Sequence, residues 1–99
     1  MTLHDFKTTL EGTTPPHVSP LLRALWHDAK GNWDAAHGLA QDIDDDNGAW
    51  VHAYLHRREG DEGNAGYWYR RAKRPHSRAS LDEEWNEIAA ALLAREPSS

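Results

Sequence analysis

A chain of 99 residues with a net charge of −5 and no cysteine has the length of one domain, and it excludes disulfides, thiol catalysis and thiolate metal sites. Leu, Ile, Val and Phe supply only 15 residues, but five Trp and three Tyr, each able to bury about 150–250 Å², offset that and argue against disorder. No apolar run approaches the ~20 residues that span a membrane, the N-terminal "MTLHDFKTTLEG" lacks a secretory pattern, and the acidic balance is unsuited to nucleic acid, so a soluble cytoplasmic protein with neither membrane nor nucleic-acid partner is expected.

In chain order, Leu3, Phe6 and Leu10 fall at helical spacing behind Thr2, a suitable N-cap. "GTTPPHVSP" ends this segment, because adjacent prolines cannot continue a helix, so residues 1–18 read as an N-terminal segment with a Pro-rich linker. A helix then starts at Ser19 with Pro20 in the first helical position; Leu21, Leu22, Leu25, Trp26 and Ala29 form its apolar face, and Gly31 ends it. The next runs from about Asn32 to Ile43 on Trp33, Ala36, Leu39, Ala40 and Ile43. Gly38 weakens it by up to ~1 kcal/mol relative to Ala, which predicts a close-packed neighbour at that position.

After the acidic stop "DIDDDNG", a helix from about Asn47 to Glu59 carries Trp50, Val51, Tyr54 and Leu55 on one face. Gly60 ends it, and Asp61 caps a helix from about Glu62 to Lys73 with Ala65, Trp68, Tyr69 and Ala72 on one side. Pro75 closes that element. Ser80 with Glu83 three residues on forms a capping box ahead of Leu81, Trp85, Ile88, Ala89 and Leu92, and the terminal "REPSS" is expected to fray. No β alternation competes. The expected fold is all-α, a single helical domain of about five helices: two helix-turn-helix hairpins over residues 19–74 and a C-terminal capping helix over 80–95.

The two hairpins align at an offset of 29, matching Ala24 with Ala53, His27 with His56, Gly31 with Gly60 and Ala36 with Ala65. "AYLHRREGDEGNAGYWYRRA" resembles the second half of a tetratricopeptide repeat, with Gly60, Asp61, Ala65, Trp68 or Tyr69, and Ala72 in the turn and packing roles; "GNWDAAHGLA" resembles the same turn. The resemblance covers about residues 20–75 and implies stacked helical pairs that bind a protein or peptide. The offset is shorter than that family's 34, so a compact bundle is the alternative. "WVHAYLHRREGDEGNAGYWYRRA" is also similar to a block in small bacterial and fungal proteins, a resemblance that implies no activity.

His52, His56 and Glu59 lie on one face of their helix, opposite Trp50, Val51, Tyr54 and Leu55. Two imidazoles and a carboxylate at that spacing can hold Zn²⁺ in a three-ligand open site, with His27 a fourth ligand if the hairpins stack in register. The bland alternative is a solvated polar stripe. His37, beside Trp33, reads as a partly buried, hydrogen-bonded histidine. In "YWYRRAKR", Trp68 and Tyr69 read as core. Tyr67, Arg70, Arg71 and Arg74 fall outside that face and either hold a carboxylate or phosphate, or pair with "DIDDD" or "DEE" and the helix C-terminus.

The candidate binding residues are thus His27, His52, His56, Glu59, Asn64, Tyr67, Arg70 and Arg71. The function expected first is a non-enzymatic repeat or bundle protein that binds a protein or peptide, or a second copy of itself as a homodimer, on a surface carrying His27, His52, His56, Arg57, Tyr67 and Arg70. The alternative is a metal-binding or small-ligand protein, or an enzyme, centred on His52, His56 and Glu59. No serine elbow, phosphate-cradling loop or dinucleotide fingerprint is present, and no cofactor is expected; Zn²⁺ enters only with the alternative reading.

Overall fold

The computed structural model describes residues 1–96 and places six α-helices there: α1 (Leu3–Thr8), α2 (Pro20–Ala29), α3 (Trp33–Gln41), α4 (Asp46–Arg58), α5 (Glu62–Ala72) and α6 (Leu81–Arg95). The chain is all-α, and there is no strand among the described residues. The helix beyond the expected five is α1, which is part of the fold. Thr2 and Asp5 close a capping box, and Phe6 is fully buried with its ring stacked on Trp85 at 5.7 Å. Burying that side chain is worth about 1.5–3 kcal/mol. The Pro-rich stretch leads into α2, where Pro20 takes the first helical position as expected, although the Ser19 side chain makes no cap bond. Of the frayed tail expected in "REPSS", residues 97–99 lie outside the described residues.

α2 packs on α3 and α4 on α5 as two hairpins; α3 lies against α4, and α6 closes the bundle across α2 and α4. The two hairpin turns are built alike. Gly31 and Gly60 take φ values of 84° and 86°, a left-handed conformation that costs glycine no Cβ clash. The following residue reaches back in both: Asn32 N–H donates to His27 O at 2.8 Å and Asp61 N–H to His56 O at 2.9 Å. Asn32 and Asp61 then cap the next helix through Ala35 N–H and Asn64 N–H. Ala24, Ala53, Ala36 and Ala65, the small residues matched between the hairpins, are all fully buried.

The glycine expectation is corrected. A Cβ at Gly38 would meet no neighbour within 4 Å, whereas one at Gly48 would lie 2.0 Å from the Ile43 carbonyl oxygen. The close approach is made by the "DIDDDNG" loop folding back on α4. That loop is more than a stop, because Asp45 accepts the Gly48 N–H at 2.7 Å and starts α4 at Asp46. At α6, Ser80 accepts from Glu83 N–H at 3.0 Å, half of the expected capping box.

α4 is the central element: every residue from Gly48 to Leu55 is buried. The core around it is rich in alanine and aromatics, including Trp26, Trp50, Tyr54, Tyr69 and Trp85. Three polar side chains are buried with it: Asp28, His52 and Glu84.

Candidate metal centre

α3 and α4 cross so that His37 meets both His52 and His56. The Nε2 atoms of His37 and His52 are 2.9 Å apart, and one nitrogen from each of the three rings lies within 4.8 Å of the others. At that separation one ring donates and the other accepts, so the two imidazoles cannot both be protonated. Two indoles frame the cluster. Trp33 stacks on His37 at 4.7 Å and Trp68 on His52 at 3.9 Å, while Trp33 Nε1 donates to the Leu55 carbonyl at 2.7 Å and is thereby fixed.

Burial, then the neighbouring His37 and His56, push the His52 pKa down to about 4. His37 is lowered as well, by burial and then by His56, against the opposing pull of Glu59 and Asp34. Both rings are therefore neutral at pH 7, the form that coordinates metal. His56 Nδ1 bonds Glu59 Oε1 at 2.7 Å, which leaves Nε2 as its free nitrogen. A carboxylate on the far nitrogen of a ligating histidine fixes its orientation and raises its basicity. Tetrahedral zinc at 2.0–2.1 Å from nitrogen separates its ligands by about 3.3 Å. The 2.9 Å between His37 and His52 is within a few tenths of an ångström of that, a distance that small side-chain rotations cover.

His52 and His56 converge, the Glu59 carboxylate bonds the far nitrogen of His56, and His37, partly buried and hydrogen-bonded as expected, brings a third imidazole nitrogen to them. His52 is buried, so the solvated-stripe alternative does not hold for it. His27 lies apart, edge-on to Trp26 at 5.2 Å, outside the cluster. Glu59 also approaches Asp61 beside His56, a second and more exposed grouping.

The remaining candidates do not join this centre. Asn64 Nδ2 donates to Asp61 Oδ2 at 2.6 Å and serves the α5 cap. Arg71 lies 3.5 Å from Asp44, and its guanidinium sits over the Tyr67 and Trp68 rings, so the pairing with "DIDDD" is observed. Tyr67 and Arg70 are exposed. Arg57, placed on the same expected surface as His52, turns instead to Glu84 at 2.6 Å, so that set does not form one face.

Two buried carboxylates escaped the sequence reading. Glu84 accepts from Tyr69 Oη at 2.6 and 2.7 Å, from Trp50 Nε1 at 3.4 Å and from Arg57, whose other nitrogen donates to the Ala79 carbonyl. Asp28 accepts from Tyr54 Oη at 2.8 Å and pairs with Arg58 Nε at 3.0 Å. The signal was present in both cases. Glu84 sits three after Leu81 and four before Ile88, and Asp28 three after Leu25, so each lies inside its helix's apolar stripe. A charge there requires a buried partner.

Comparison with protein-family models, with curated proteins and with solved structures finds no match. No helix among the described residues is long and apolar enough to cross a membrane.

Proposed function

We propose that this chain is a small helical metal-binding protein that holds a borderline transition metal, Zn²⁺ foremost, through His37, His52 and His56. The observation that carries the reading is the convergence of three imidazole nitrogens within 4.8 Å from two helices. It is supported by the low proton affinity of His52 and by the Glu59 carboxylate behind His56. Three protein nitrogens leave a fourth position for solvent or a further ligand. All-imidazole donors suit Zn²⁺, Ni²⁺ and Cu²⁺ and disfavour Mg²⁺ and Ca²⁺, which take oxygen.

The test is calorimetric titration of the purified chain with Zn²⁺ and with Mg²⁺, alongside thermal melts. One Zn²⁺ per chain is expected, with no heat from Mg²⁺. At a free metal concentration of 100 Kd the native state gains about 2.7 kcal/mol. His37→Gln and His52→Gln should each abolish binding, and His27→Gln should leave it intact. No heat with an unchanged melting temperature, or binding that survives both cluster variants, refutes the reading.

A second reading, a docking face for a protein, a peptide or a second copy of the chain, rests on α5. Tyr67 there is 44% exposed with the Arg71 guanidinium 5.9 Å from its ring. Aromatic and arginine side chains are the types enriched at interfaces. Light scattering on the wild type and on Tyr67→Ser tests the self-association form of it, and a monomer at all concentrations removes that form.

A further inference from the structure

α3, which brings His37 to the centre, is the least secured of the helices around it. Its nine residues hold Gly38 at mid-length, where glycine favours the unfolded backbone and a Cβ would meet nothing within 4 Å. Only Ala36 and Ala40 are buried, so this helix seals no side chain larger than alanine, whereas α4 buries every residue from Gly48 to Leu55. The charge at its C-terminal end is also unfavourable. α4, α5 and α6 carry arginine in the last turn, which suits the negative end of a helix, but the last turn of α3 has no basic residue. Asp42 stands at its C-cap, and Asp44, Asp45 and Asp46 follow. Two side-chain bonds tie α3 to α4 among the described residues: Trp33 Nε1 to the Leu55 carbonyl, and the contact between His37 and His52.

An element with few buried apolar groups opens locally at a lower free energy than the whole fold. Opening α3 carries His37 away and leaves His52 and His56, an i, i+4 pair on α4 that makes a weaker two-ligand site. A metal held by all three imidazoles therefore binds the closed form and draws the equilibrium towards it. We propose, resting on the three-histidine reading above, that the centre is a switch: α3 opens locally in the metal-free chain, and an ion at His37, His52 and His56 closes it. The centre then converts metal concentration into order in one helix. The faces of α2 and α4 on which α3 packs are uncovered only when the metal is absent. The ligands are divided to suit this role. Two come from the best-buried helix, which holds them fixed, and the third comes from the neighbour that is released most readily.

The experiment is amide hydrogen exchange of the full chain, read by mass spectrometry in chelator, in Zn²⁺ and in Mg²⁺, with zinc calorimetry on the same sample. In chelator, residues 33–41 should exchange at least tenfold faster, relative to their unstructured rates, than residues 48–55. Zn²⁺ at 100 Kd should slow residues 33–41 about 100-fold, the factor by which a ligand of the closed form depletes the open one, and Mg²⁺ should leave them unchanged. His37→Gln, which removes the α3 ligand, should exchange over 33–41 at the same rate in Zn²⁺ as in chelator. Equal protection of α3 and α4 in chelator, or zinc heat with the exchange of 33–41 unchanged, overturns the switch and leaves the metal site standing. No zinc heat removes the site itself and the switch with it.

Discussion

Lowering the pH from 7 to 5 should destabilise this fold by about 2 kcal/mol through His52 alone. The folded-state pKa of His52 is pushed down to about 4, against 6.5 for an exposed histidine. Between those values the unfolded chain binds a proton that the native state refuses, so stability falls as pH falls through that window and is fully present only above about 6.5. At pH 7 the unfolded histidine is about one quarter protonated and the penalty is about 0.2 kcal/mol. At pH 5 the unfolded ring is almost wholly charged while the native ring stays neutral, and the penalty is about 2 kcal/mol. His37, also lowered, adds in the same direction. For a domain of this length 1 kcal/mol moves the melting temperature by roughly 4–8 °C, so the His52 share is roughly 8–15 °C. Thermal melts across pH 4.5–7.5 in chelator should therefore show a steeper acid loss for the wild type than for His52→Gln, which keeps a hydrogen-bonding group towards His37 but cannot titrate. The carboxylates elsewhere titrate in both proteins and cancel in the difference. Parallel curves for the two proteins would refute the assignment of a buried, neutral His52.

The two glycines of the α3–α4 region should respond in opposite directions. Gly38→Ala meets open space and should raise stability by up to ~1 kcal/mol, read in urea denaturation, while Gly48→Ala drives a Cβ to 2.0 Å from the Ile43 carbonyl oxygen and should cost about 1–3 kcal/mol. At the buried Glu84, Arg57→Met leaves a carboxylate without its counter-charge and should cost about 3–5 kcal/mol by chemical denaturation, with much of the loss recovered when Glu84→Gln is added; a loss that the second substitution leaves untouched would mean that Arg57 acts through packing rather than charge.

The helices and their order were legible because their signals are local. Thr2, Asp61 and Ser80 cap the helices that they precede in the sequence, and Gly31 and Gly60 adopt the left-handed turns that only glycine takes without penalty. What was not legible depends on how helices cross. Which of Gly38 and Gly48 is approached by backbone follows from the path of the Ile43–Asp46 loop, and no periodicity contains that path. The histidine centre was half legible for the same reason. His52 and His56 share a face by spacing within one helix, but the pairing of His37 with His52 across 15 residues requires the crossing register of α3 and α4. Glu59 shares that face by spacing as well, and its carboxylate bonds His56 Nδ1 at 2.7 Å.

The angular layout of α4 explains how so small a protein keeps three polar assemblies apart. At about 100° per residue, His52 and His56 lie within about 40° of each other, Arg57 is displaced by about 140° from His52, and Tyr54 and Arg58 lie about 200–240° round. Each direction meets a different neighbour: α3 with His37, α6 with Glu84, and α2 with Asp28. A helix buried along most of its length would ordinarily be apolar all round. This one carries polar groups in each direction and satisfies each from a separate helix, with tryptophan and tyrosine rings filling the space between. That arrangement accounts for the unusual composition. Aromatic side chains supply large buried area while their N–H and O–H groups serve the same networks, as Trp50 and Tyr69 do for Glu84 and Tyr54 for Asp28. A core of leucine and valine could bury as much surface, but it would leave Asp28 and Glu84 without the donors that make their burial tolerable. The scarcity of aliphatics and the abundance of Trp and Tyr are therefore one feature: the core is built to hold charged and titratable groups, arranged around α4 in separate directions.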